Sequence, residues 1–259
     1  MKFKDRHKNV SRYFTNVDDY MSLYYCNDCE NSEVLSLKSK MHRSPFSLRK
    51  RKNKTAIGDI DILDEVLISD CYHLNDLKFD NEINVLDIGA NIGAFAWSIQ
   101  SIFDIANLIC IEPDESFDYL VENSKPKQVE KVFCLKGACG FKKHGYYTAN
   151  INNSGGGKCS SIYTFGAEKV KSINLKKVLQ HLKINDLHVV KIDTEGMEVP
   201  ILLELLNIDL RIRNVLIETH SDEEHELVLS LIKKFGHKEI YLLNEVKSSE
   251  GHFRILHSR

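Results

Sequence analysis

Val85-Leu-Asp-Ile-Gly-Ala-Asn-Ile-Gly93 is the stretch whose reading decides the fold. A short apolar run that ends in a turn with two glycines marks the end of a buried strand passing into a helix. Gly89 can bend the chain sharply, Asn91 tolerates left-handed backbone angles, and Gly93 lets the next helix start close to a ligand. Asp87, just before the turn, is placed to accept hydrogen bonds from the turn or from a ligand's ammonium group.

Working outward, apolar runs of strand length alternate with helical patterns. Strands are predicted at Asn84–Ile88, Asn107–Ile111 and Lys131–Leu135, with helices over Ile92–Phe103 and Glu115–Asn123 between them. The second half repeats the habit. Helices at Asn174–Leu182 and Glu198–Leu206 alternate with strands at Leu187–Ile192 and Val215–Glu218, and a further helix fills Asp222–Phe235. Such alternation implies parallel pairing with right-handed crossovers. The last two runs, Glu239–Leu243 and His252–Leu256, lie too close for a crossover helix and should pair antiparallel. An amphipathic helix is predicted from Asp59, with Ile60, Ile62, Leu63, Val66, Leu67 and Cys71 recurring at three and four.

In a doubly wound sheet the ligand sits beyond the carboxyl ends of the strands, where strand order reverses. A dinucleotide site would want G-x-G-x-x-G, so that backbone can touch a pyrophosphate. Asn91 and Ala94 stand at two of those glycine positions. S-adenosylmethionine carries no pyrophosphate and suits such a turn better. Glu112 ends the second strand about 20 residues after the turn, at the distance where a carboxylate grips a ribose diol. Without a ligand it would be a solvated strand end or a helix cap, with Pro113 at the first helical position. Gly137-Ala-Cys-Gly140 is small enough for an adenine to lie near Ala138. Asp193 leaves an apolar strand at the same edge and is a candidate neighbour of the sulfonium or acceptor, while Thr194 and Glu195 could equally be helix caps. The fifth strand brings Glu218 and His220 there. His220 is the histidine that ends a core strand and could serve as general base, or be a simple loop residue.

Composition sets the limits. A chain of 259 residues, 42% hydrophobic, can bury one large α/β core with a short appendage. With a formal charge of −2, no global positive field draws it to nucleic acid or anionic lipid. The absence of an apolar leader and of a long apolar span points to a cytoplasmic protein without a membrane span. Seven scattered cysteines are expected to be reduced thiols, and Cys26-Asn-Asp-Cys29 lacks a partner pair for zinc. Residues 1–55 look irregular, an N-terminal appendage for acceptor binding or an oligomer contact, with the domain proper over 56–259. The basic run Arg49–Lys54 is expected to be a solvated face. It would be a docking patch if the substrate were RNA or protein. Asn152–Ser161, rich in glycine and serine, is a candidate lid.

Val-Leu-Asp-Ile-Gly-Ala-Asn-Ile-Gly at 85–93, Ile-Glu-Pro at 111–113 and Lys-Ile-Asp-Thr-Glu-Gly-Met-Glu at 191–198 together resemble the FkbM family of methyltransferases. The similarity runs from about Asn84 to His220 and includes Ser154-Gly-Gly-Gly ahead of Ser160-Ser161. The resemblance implies a Rossmann-like class I methyltransferase: a seven-stranded, mostly parallel sheet with an antiparallel C-terminal strand and helices on both faces. It implies S-adenosylmethionine as cofactor and O-methylation of a sugar or other small-molecule or glycan acceptor. Gly89, Asn91 and Gly93 would hold the methionine part, Glu112 the ribose, and Asp193 to Glu195 the reaction edge. His220 or Asp193 would take the proton. No metal ligand set is read from the sequence, and divalent-metal dependence stays open, as does a homo-oligomer. A catalytically silent, cofactor-binding partner module is the rival from outside enzymes.

Overall fold

The computed structural model describes residues 3–26, 29–42, 44–52, 58–124, 131–141, 146–149, 168–247 and 252–259. Its centre is a seven-stranded sheet: β1 (Ile83–Ile88), β2 (Ile105–Glu112), β3 (Val132–Lys136), β4 (Val189–Ile192), β5 (Val215–Thr219), β6 (Ile240–Lys247) and β7 (His252–Ser258). The spatial order is β6-β7-β5-β4-β1-β2-β3. β1 to β5 run parallel, whereas β7 is antiparallel to both β5 and β6. The chain leaves β1 toward β2 on one side and later returns to β4 on the other, so strand order reverses at β1, the place where such sheets bind ligands. This is the expected class I methyltransferase arrangement.

Alternation along each strand builds two apolar layers. Val85, Leu108, Cys110, Val189 and Leu216 face one cluster, and Leu86, Ile88, Ile109, Val190, Ile192 and Ile217 face the other. The first layer packs on helices α1 (Ala94–Ile102) and α2 (Ser116–Asn123), the second on α3 (Leu175–His181), α4 (Glu198–Leu206) and α5 (Asp222–Ile232). Both faces are thereby covered, which lets the central strands be largely apolar, with Asp87 and Lys191 as the buried exceptions in β1 and β4.

The first fifty residues correct the expectation of irregular chain. They form helices at Phe3–Tyr13 and Val17–Tyr24 and an antiparallel hairpin of Cys29–Leu37 with Phe46–Lys52. Phe14, Tyr20, Leu37, Phe46 and Leu48 are fully buried in the same cluster as Val85 and Trp97. Trp97, on α1, is covered from this side by Phe14, Phe46 and the His42 ring, 5.5, 6.1 and 4.4 Å away between centroids. The N-terminal elements therefore extend the domain's core.

Two further expectations change. Arg49 is not part of a solvated face: its side chain is 12% exposed and forks onto the fully buried Asp59, with Nε and Nη2 each 2.8 Å from a carboxylate oxygen. Cys26 is disulfide-bonded rather than reduced, while Cys71, Cys110, Cys134 and Cys139 are not in disulfides. Asn152–Ser161, the expected lid, lies outside the described residues. No helix among the described residues is long and apolar enough to cross a membrane.

Candidate active site

Register places the site. Ile111, Ile88, Ile192 and Ile217 are hydrogen-bonded neighbours across β2, β1, β4 and β5. The next residue on each strand leaves the apolar layers at one edge, and those residues are Glu112, Gly89, Asp193 and Glu218. A cleft runs along this edge, lined among others by Gly89, Asn91, Glu112, Ala138, Asp193 and Glu195.

The turn after β1 needs its glycine. Gly89 has φ +77°, and a Cβ there would lie 1.7 Å from the carbonyl oxygen of Asp193, so only glycine lets β1 and β4 end side by side. Asn91 takes the left-handed conformation expected of it, φ +48°. Its side-chain oxygen accepts from the Ile92 amide at 2.8 Å. Gly93, also left-handed, does not face the cleft: a Cβ there would press on Leu120 and Asn123 at 3.2 and 3.4 Å. Its role is close packing of the turn on α2. Asn123 reinforces that packing by donating to the Ile92 carbonyl at 2.7 Å and to the Ser47 carbonyl of the N-terminal hairpin at 2.8 Å.

Glu112 accepts the Asn91 amide at 2.7 Å on one oxygen and the Asp114 amide at 3.2 Å on the other. Each carboxylate oxygen has two lone pairs, so one on each remains for two hydroxyls of a diol. Burial, reinforced by the Asp114 carboxylate, pushes its pKa well above the carboxylate range. A ligand offering two hydroxyl donors favours the ionised form.

Asp87 lies beneath the turn, fully buried, with no hydrogen bond to either oxygen. Its counter-charge is Lys191 of β4, whose ammonium stands 3.5 Å from Asp87, 3.3 Å from Asp193 and 2.6 Å from the Gly89 carbonyl. Burial opposes the charge on Lys191, but Asp193 and Asp87 outweigh it and hold the group protonated. Tyr72 donates its hydroxyl to Asp193 at 3.0 Å. Sequence reading assigned no role to either residue. Lys191 did carry a signal, a charge inside an apolar strand; Tyr72 follows a helical segment and had none.

The string after β4 is a turn folded around Glu198. That carboxylate, fully buried, accepts from the Thr194 amide at 2.7 Å, the Thr194 hydroxyl at 2.9 Å and the Gly196 amide at 2.8 Å. Glu198 thus ties the turn together ahead of α4, while Asp193 and Glu195 face the cleft. Glu195 is held at φ +57°, a conformation a non-glycine residue adopts only under constraint.

His220 stands behind this wall, its ring nitrogens 3.6 Å from Glu195 and 3.7 Å from Glu198. It is not among the described residues lining the cleft. Burial lowers its pKa, but Glu198, Glu195 and Asp193 override that and raise it to about 10. An imidazole charged at neutral pH cannot take a proton there, so the geometry does not support the expected general-base role.

Comparison with curated protein sequences gives no match. Among solved structures the chain is similar to precorrin-6y C5,15-methyltransferase from Geobacter metallireducens, at 11% identity over 80% of this chain and 92% of that one, TM-score 0.48. It is also similar to M. jannaschii TYW2 in complex with AdoMet, at 14% identity over 89% and 87%, TM-score 0.47. A third is M. capricolum TrmK in complex with S-adenosyl-homocysteine, at 12% identity over 73% and 66%, TM-score 0.46. The family comparison is direct: residues 87–239, from the acid under the glycine turn to the start of the antiparallel end pair, match the methyltransferase FkbM domain. That match spans more than half of the chain, and the protein belongs to the FkbM methyltransferase family.

Proposed function

We propose that the protein transfers a methyl group from S-adenosylmethionine to a hydroxyl of a sugar or related small metabolite. The observation that carries this reading is the alignment of the glycine turn, Glu112 and Asp193 on one sheet edge, around a single cleft. When bound, S-adenosylmethionine supplies a methyl carbon activated by a sulfonium. Glu112 would take the ribose hydroxyls, the backbone around Gly89 and Asn91 the methionine end, and Ala138 the adenine. Asp193 would mark the reaction edge, with Tyr72 and Lys191 holding its Oδ2 and Oδ1 left to accept a hydrogen bond from the acceptor. Positioning would supply most of the rate.

The charge of the cleft supports a polyol acceptor over a polyanion. Its described lining carries Glu65, Glu112, Asp114, Asp193, Glu195 and Glu218 against Lys191 as the one basic residue. Carboxylates accept hydrogen bonds from hydroxyls and repel phosphates. Arg49, the first residue of the basic run, is already engaged by Asp59 and Glu115.

The test is incubation with methyl-labelled S-adenosylmethionine and three acceptor pools: free sugars with oligosaccharides, bulk tRNA, and denatured cell protein. Label is expected in the carbohydrate pool as an alkali-stable methyl ether. Label confined to RNA or protein would overturn the acceptor class, and none in any pool would count against transfer to these substrates.

A further inference from the structure

Asp193, Glu195 and His220 each offer a ligand atom within 4.8 Å of the others, although the first two follow β4 and the third follows β5. Hydrogen bonding does not explain the grouping. Nδ1 of His220 is 3.6 Å from Oε2 of Glu195, too long for a hydrogen bond, and both ring nitrogens are buried without a hydrogen-bond partner. Two atoms bound about 2.1 Å from one ion stand about 3.0 to 4.2 Å apart, depending on the angle between them. The gap between His220 and Glu195 falls in that range. A cation bound here would take the place of the imidazole's proton and keep a positive charge among the carboxylates.

We infer that Asp193, Glu195 and His220 form a binding site for a divalent first-row cation at the acceptor end of the cleft. Two carboxylates and one imidazole are a donor set that suits manganese, iron or zinc. Charge favours it as well, since Glu65 and Glu218 also line the cleft, and among its described lining residues Lys191 is the one basic side chain. Three protein ligands leave coordination positions open on the ion. Asp193 and Glu195 border the cleft, so an acceptor hydroxyl could enter one of those positions and be polarised. The inference deepens the methyl-transfer reading, but cation binding itself requires neither donor nor acceptor.

The experiment exploits that independence. Metal-stripped protein, free of S-adenosylmethionine, is titrated with manganese chloride while the free Mn²⁺ signal is followed by electron paramagnetic resonance. Saturable uptake of one ion per chain is expected, with a rise in melting temperature. His220→Ala and Glu195→Gln should each weaken binding at least about tenfold, whereas Glu223→Gln, on the exposed side of α5, should not. If His220→Ala does not fold, Glu195→Gln decides alone. No saturable uptake, or uptake that both site variants retain, overturns the site without touching the cofactor assignment.

Discussion

The Lys191 ammonium reaches Asp87, Asp193 and the Gly89 carbonyl at once, joining the acid under the turn to the acid at the reaction edge. Removing one partner of a buried pair strands the other charge, at a cost of about 3–5 kcal/mol. Lys191→Met keeps the length and removes the charge, leaving Asp87 without a counter-ion. It is expected to lower unfolding free energy in denaturant by that amount, and a loss below about 1 kcal/mol would mean that Asp87 is satisfied in another way. At this scale much of the cleft's lining was legible. Gly89, Asn91 and Glu112 could be read because a turn and a distance constrain residue type. Gly93 and His220 could not be placed, since the side a residue faces depends on neighbours far along the chain: Leu120 and Asn123 for the first, Glu195 and Glu198 for the second.

Among elements, the N-terminal hairpin is held to the core by Arg49, whose guanidinium spans Asp59 and Glu115. Arg49→Ala would take the guanidinium from the fully buried Asp59 carboxylate and leave it the backbone amide of residue 49. A destabilisation of about 3 kcal/mol or more is expected, partly recovered by adding Asp59→Asn. Equal melting temperatures for wild type and Arg49→Ala would contradict the pairing. At the other end of the sheet, His257 of β7 shares a hydrogen bond of 2.9 Å with Asn214, next to β5. Burial and the Arg259 guanidinium lower its pKa from 6.5 to about 4. Below 6.5 the unfolded chain binds a proton that the folded chain refuses, so this contribution to stability is full above 6.5 and falls away as pH drops toward about 4. Melting temperature measured across that interval should fall less steeply for His257→Gln than for wild type. An identical slope would show that His257 titrates normally in the fold. The central strands β1, β2, β4 and β5 were readable because each buries a largely apolar run. The helix Phe3–Tyr13 was not, because Val10 is its one buried residue among those described, and a single contact makes no period.

For the whole molecule, a formal charge of −2 conceals a local imbalance. Carboxylates gather at the cleft, and a cationic donor or a metal ion is what such a field attracts. The alternation of strand and helix gave the topology in advance, since parallel pairing follows from it. It could not show that the N-terminal helices and hairpin complete the core, because their apolar side chains meet Trp97 only in three dimensions. The central claim is that this edge holds S-adenosylmethionine by its ribose at Glu112. Calorimetric titration with S-adenosylhomocysteine tests it most directly. One-site binding is predicted for the wild type, weakened about tenfold or more in Glu112→Ala, the worth of hydrogen bonds to a charged group. Absence of binding to the wild type, or equal affinity in the variant, would contradict it.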